Sequence, residues 1–150
     1  MQLIVGANTR QEPGWVSHDV KPYPGIAIVC DIWDLPDHAK DCTKIQITHV
    51  LEHFGHKETI PLLEMLKGLL VPGGELYIEV PNFAWHAELV SQGQAEKAVY
   101  YAFGGQLDEW DFHKTGFTPT LLQTRLEEAG FTNINIDGWT TLCCTCQKSP

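Results

Sequence analysis

No apolar run in this chain of 150 residues approaches the ~18 residues that span a bilayer. The amino terminus, Met1-Gln2-Leu3-Ile4-Val5-Gly6, lacks the charged segment and cleavage signal of an export sequence. Both absences point to a cytoplasmic protein that engages no membrane. Basic residues are scarce: ten Lys and Arg stand against nineteen Asp and Glu, the formal net charge is -9, and the cations never cluster. A nucleic-acid backbone would be repelled, so no nucleic-acid partner is expected and small molecules or neutral partners are favoured. Repeats, linkers and low-complexity tracts are missing as well. The five cysteines do not make a secreted disulfide framework, because their number is odd and Cys143, Cys144 and Cys146 crowd into one apolar segment. In a strand, alternation would split those three across two faces, which suits buried reduced thiols better than a metal cluster.

What is present suits one domain over residues 1-150, since 43% of the chain is hydrophobic. Leu3 to Val5 reads as a buried strand ended by Gly6-Ala7-Asn8. Trp15 to Val20 and Ile26 to Cys30 are two further β-rich runs, closing on Asp19 and Asp31. The segments between these runs are shorter than the dozen or so residues of a parallel crossover, so the crossover helices are expected to be trimmed at this edge of the sheet. Lys57 to Leu70 carries a helical apolar face of Leu62, Leu63, Leu66, Leu69 and Leu70, with Pro72-Gly73-Gly74 as its stop. Glu75 to Val80 is a strand ended by Pro81. Residues 83-116 hold seven aromatics, among them Trp85, Trp110 and Phe112. They read as a helical insert covering a crevice or, more plainly, as completion of the core. Thr118 and Pro119 open a helix whose buried face is Leu121, Leu122, Leu126 and Ala129, and Gly130 stops it. Ile134 to Asp137 and Leu142 to Cys146 flank Gly138 as a closing hairpin. This order predicts an α/β sheet whose last strand is antiparallel.

The segment from Ile45 to Phe54, I-Q-I-T-H-V-L-E-H-F, starts as a strand and then changes period, so that His49, Glu52 and His53 share one side of a turn or helix start. In an open parallel sheet ligands bind beyond the carboxyl ends of the strands, where this junction delivers two imidazoles and a carboxylate.

Taken in order, L-I-V-G-A-N, P-G-W-V-S-H-D, D-I-W-D-L-P, T-H-V-L-E-H-F, L-V-P-G-G-E-L-Y-I-E-V-P-N and H-K-T-G-F-T-P-T-L-L-Q-T-R-L-E-E-A-G-F resemble the class I S-adenosylmethionine-dependent methyltransferases, in particular the compact group with the methyltransferase type 11 domain. The resemblance implies a Rossmann-like fold with a seven-stranded mixed sheet, S-adenosylmethionine as cofactor, and methyl transfer to a small-molecule acceptor. It places Gly6, Ala7 and Asn8 in the loop passing the methionine end of the cofactor, although the later glycines of that loop are absent here. Asp19, followed by Val20, matches the acidic residue that accepts from both ribose hydroxyls; a carboxylate suits a vicinal diol because it offers acceptors alone. Asp31 matches the acceptor of the adenine amino group, with Ile32 beside the ring. As structural residues, the two aspartates are turn formers.

Three chemical readings of His49 to His53 stand. In the resembling family His49 would contact the cofactor and His53 would act as general base, with His113 approaching the methyl from the opposite side. Some O-methyltransferases of similar sequence bind a divalent ion with Glu-x-x-Glu-His, and here His49 replaces the first Glu while Glu52 and His53 remain, His113 being a distant further ligand. His49-x-x-Glu52-His53 is also the inverted zincin pattern of zinc-dependent hydrolases. The methyltransferase reading is adopted, with His53 and His113 as catalytic candidates and no metal assigned. The competing class is a non-catalytic cofactor-binding or partner-binding module, and a homo-oligomer in which a second subunit completes the crevice is compatible with either.

Overall fold

The computed structural model describes all residues 1-150. Seven strands run Gln2–Val5 (β1), Val16–Asp19 (β2), Ile28–Val29 (β3), Cys42–Thr48 (β4), Leu70–Pro81 (β5), Phe131–Asp137 (β6) and Thr141–Lys148 (β7). They form one sheet in the order β3-β2-β1-β4-β5-β7-β6. Pairing is parallel from β3 through β5, and β7 is antiparallel to both β5 and β6. This is the expected mixed sheet with an antiparallel last strand. The strand order reverses between β1 and β4, which opens a crevice beyond their carboxyl ends.

The four α-helices are Thr59–Leu69 (α1), Phe83–Ser91 (α2), Ala95–Phe103 (α3) and Pro119–Glu128 (α4). No α-helix joins β1 to β2 or β2 to β3, and a 3-10 turn at Ile32–Asp37 serves in place of the next crossover. The core is consequently one-sided. Leu3, Val5, Ile45, Ile47, Leu76, Ile78, Val80, Leu142, Cys144 and Cys146 project from one face of the sheet onto leucines of α1 and α4 and onto Ile32 and Leu35. The opposite face presents Lys44, Gln46, Glu75, Tyr77 and Glu79, over which Arg10 and Trp15 line a shallow groove. A mostly parallel sheet normally buries both faces; here alternation of apolar and polar residues along β4 and β5 lets one face meet water.

Local chemistry sets the element ends. The Thr118 hydroxyl accepts from Leu121 N at 3.2 Å and Pro119 occupies the first turn of α4, while Gly130 at φ +79° ends it. The expected stop at Pro72-Gly73-Gly74 also forms a bulge inside β5. Leu70 already pairs with Cys42 and Glu75 with Lys44, so the intervening residues loop out through Gly73 at φ +75°.

The insert is helical only in its first part. α2 and α3 pack on each other, and α3 ends at Gly104, whose φ of +80° turns the chain into an irregular segment that rejoins the sheet at the carboxyl end of β5, where Asn82 bridges Phe117. No helix is long and apolar enough to cross a membrane.

Candidate functional site

A crevice of about 390 Å³ lies beyond the carboxyl ends of β1, β2 and β4, within the roughly 300–1,000 Å³ usual for small-ligand sites. Gly6, Asn8, Asp19, Val20, Asp31, Ile32, His49 and His53 all line it, so the structure brings together most residues singled out from sequence. Ala7 and His113 do not line it. Ala7 is 5% exposed and its N–H donates to His18 O at 2.9 Å, so it holds β1 against β2.

The floor is built by close approach of two loops. Gly6 has φ +67°, and a Cβ placed there would collide with Val50 Cγ2; only glycine combines that backbone with that contact. Asn8 N donates to Asp19 Oδ2 at 2.8 Å and Lys21 N to Asp19 Oδ1 at 2.9 Å. The Asp19 carboxylate therefore ties the loops after β1 and β2 together, and each oxygen keeps a second lone pair for a ligand. Asp31 is a cap as well as a crevice residue, since its Oδ1 accepts from Trp33 N at 3.0 Å.

The junction after β4 is a strained turn. His49 adopts φ +53°, unusual for a side chain of its size, and its N–H donates to Glu79 O at 2.9 Å. His49 Nδ1 then meets Glu52 Oε1 at 3.2 Å, and this hydrogen bond raises the His49 pKa. Leu51–His53 is a single 3-10 turn. The two α-helical histidines of the inverted zincin pattern are therefore not formed, and the zinc-hydrolase reading loses its geometry.

His113 arrives from the insert. Lys114 N and Thr115 N both donate to Glu52 O, at 2.8 and 3.2 Å, and His53 Nδ1 donates to Phe112 O at 3.1 Å. These bonds clamp residues 112-115 onto the 3-10 turn and set the His53 and His113 rings edge to face, 5.0 Å between centroids. His53 is half-buried and burial lowers its pKa, which favours the neutral imidazole near pH 7.

Leu107 and Asp108, which no periodicity or motif marks in the sequence, join Trp110 and Asp111 in closing the crevice from the irregular part of the insert. The expected cover over the crevice is thus a loop, with α2 and α3 lying outside its walls. Lys21, the residue after Val20, pairs with Asp108 across the opening. His18 precedes Asp19 on β2, is 2% exposed, and has its pKa lowered by burial.

No protein-family model and no curated protein matches this sequence. Solved structures do resemble it. A candidate O-methyltransferase from Nostoc punctiforme superposes with TM-score 0.70 at 13% identity, over 98% of this chain and 51% of its own. An S-adenosylmethionine-dependent methyltransferase from Archaeoglobus fulgidus gives TM-score 0.70 at 14% identity, over 98% of this chain and 85% of its own. The 1,6-didemethyltoxoflavin N1-methyltransferase of Burkholderia thailandensis, solved with its substrate and S-adenosylhomocysteine, gives TM-score 0.68 at 16% identity over 99% and 71%. The chain spans about half the length of the first of these. At such identities the likeness speaks to architecture alone: this chain has the Rossmann-like fold of the class I S-adenosylmethionine-dependent methyltransferases.

Proposed function

We propose that the chain transfers a methyl group from S-adenosylmethionine to a small-molecule acceptor. The observation that carries this is the convergence of Gly6, Asp19 and Asp31 on one crevice at the point where strand order reverses. Asp19 presents two lone pairs to a vicinal diol, Asp31 an acceptor to an exocyclic amine, and Ile32 an apolar edge to a ring. Gly6 and Asn8 shape the wall at the methionine end, backed by Ala7, and Val20 and His49 complete the cofactor contacts. The cofactor supplies an electrophilic methyl; the residues of this chain hold the acceptor in line with it, and positioning of that kind contributes ~7–11 kcal/mol.

His53 is the general base of this reading. Its Nδ1–H is committed to Phe112 O, which leaves Nε2 with a free lone pair for an acceptor proton. His113 stands behind it as second candidate. Tyr23, Phe54, Leu107 and Trp110 on the walls suit an acceptor with a ring or a sugar face.

Calorimetric titration of S-adenosylmethionine and S-adenosylhomocysteine into wild type, Asp19→Asn and Asp31→Ala tests the proposal. Binding to the wild type that weakens in both variants, with far-UV circular dichroism unchanged, is expected; no binding at millimolar ligand would overturn it.

One observation favours a second reading. No helix starts after β1, so the loop of Gly6 to Asn8 lacks the helix N-terminus that usually aids ligand binding in such crevices. A binding module without turnover would take up cofactor in the same titration, yet methylate no member of an acceptor panel.

A further inference from the structure

Leu107 is 88% exposed, yet it lines the crevice and stands on a turn fixed by polar bonds. Its N–H donates to Asp111 Oδ2 at 3.2 Å, Gln106 N donates to Asp111 O at 3.0 Å, and Trp110 N donates to Asp108 Oδ1 at 2.9 Å. Lys21 holds the Asp108 carboxylate in turn. Burial does not hold this leucine in place; the turn presents it to water. Trp110 is placed in the same way, lining the crevice while 44% exposed. Both side chains belong to the inner wall and to the outer surface at once.

The apolar surface continues beyond them, for Tyr100 and Phe103 on the last turn of α3 and Phe112 after it are exposed as well. Gly104 N donates to Tyr100 O at 3.0 Å and His113 N to Phe103 O at 3.1 Å, which lays residues 112-113 against the end of that helix. Phe112 O accepts from His53 Nδ1. The strip therefore starts beside the proton acceptor of the proposed reaction and leaves the crevice over Leu107 and Trp110. Exposed apolar surface of this extent marks a ligand or partner surface, and its continuity with the crevice assigns it to what the crevice holds. S-adenosylmethionine carries no apolar chain to lay on it, so the strip falls to the acceptor.

We infer that the acceptor is a neutral amphiphile, with a proton-bearing polar head such as a phenol hydroxyl at His53 and an alkyl, prenyl or aryl tail that runs out over Leu107 and Trp110 toward Phe103 and Phe112. Asp108, Glu109 and Asp111 stand in the same turn against the one paired lysine, and would repel a phosphate or carboxylate on the tail. A sugar in place of the tail would press hydroxyls onto Leu107 and Phe103, which offer them no partner. The position of the head rests on the methyl-transfer reading; the track of the tail rests on the exposed strip.

The test is calorimetric titration of 4-alkylphenols, from ethyl to heptyl and below their aggregation limits, into the full chain with and without saturating S-adenosylhomocysteine. Each added methylene is expected to tighten binding by about two- to fourfold. Leu107→Ser combined with Trp110→Ser should flatten that dependence on chain length. Trp139→Ser, which removes an exposed aromatic between β6 and β7 that does not line the crevice, should retain it. A flat series with the wild type, the wild-type slope in the double variant, or an equal loss in Trp139→Ser would overturn the inference. So would a wild type that is dimeric at these concentrations and monomeric as the double variant, since a second copy would then cover the strip. S-adenosylhomocysteine binding with a flat series removes the tail and leaves the methyltransferase reading intact; a sloped series without S-adenosylhomocysteine binding keeps the apolar track and removes that reading.

Discussion

Lys21 and Asp108 form an ion pair that spans the mouth of the crevice, joining the loop after β2 to the irregular part of the insert. The pair raises the pKa of the lysine and lowers that of the aspartate, so both stay charged throughout the neutral range. It is the one salt bridge linking the insert to the cofactor side.

If this pair retains ligand, loosening it should speed release. Lys21→Gln and Asp108→Asn are each expected to raise the dissociation rate of S-adenosylhomocysteine several-fold, and the double variant no further than either, since each removes the same contact. Raising ionic strength should accelerate release from the wild type and not from the variants. Stopped-flow displacement measures this, and additive effects would show that the two side chains act separately.

Gly6→Ala should destabilise the fold by about 1–3 kcal/mol through its left-handed backbone alone, with the Val50 contact adding to it. Adding Val50→Ala should recover the contact part and not the backbone part. Urea denaturation of the two variants separates the contributions, and full recovery would mean that the backbone strain is negligible.

Asp19 stabilises the crevice before any ligand arrives. Asp19→Ala leaves the amides of Asn8 and Lys21 without acceptors, at about 1–3 kcal/mol for each one left unsatisfied. Asp19→Asn keeps one carbonyl oxygen and should lose less. Equal losses in chemical denaturation would contradict this ordering.

His18 should make the protein acid-sensitive. Its pKa is lowered by burial, with Asp19, Asp31 and His38 as the charged neighbours that modify it. The unfolded chain therefore binds the proton more readily than the folded one. Stability is highest above the ordinary value of 6.5, falls as pH drops through the window between that value and the lower folded-state value, and levels off below it. Burial lowers His53 and His86 as well and adds slope of the same sign, whereas His49, raised by Glu52, opposes it. In His18→Gln, which keeps a donor for Cys30 O, Tm should vary less with pH over the window. An identical slope would exclude His18 as a contributor.

Val99, Tyr100 and Phe103 of α3, with Leu107, Trp110 and Phe112 beyond it, are all exposed. Were a second copy to cover this surface and complete the crevice, Tm would rise with protein concentration. A Tm independent of concentration, with a monomeric mass in solution, would sink that arrangement.

Strand ends, helix caps and the missing crossover helices after β1 and β2 were legible in the chain because each depends on near neighbours. Glu75 to Val80 announced a strand and the Thr118-Pro119 pair a helix start, while the family resemblance placed Asp19 and Asp31 at the crevice. α1 ends at Leu69, just before Pro72-Gly73-Gly74 as expected, but that these residues also form a bulge within β5 follows only from the pairing of Leu70 with Cys42. The aromatic-rich insert has helical stretches, yet the crevice wall is a loop held by the Lys21–Asp108 pair and by bonds of residues 112-115 to Glu52 and His53.

The sequence by itself determined the order of strands and helices, the position of the crevice at their ends, and the residue types that reach it. The elements follow from local periodicity and turn chemistry, and the assignment of crevice residues from the resemblance of ordered motifs. Only the tertiary structure decided that His113 meets His53, that Asp108 meets Lys21, and that Glu52 is buried with one oxygen unpaired. Those features depend on segments far apart in the chain, so no spacing within either segment could announce them.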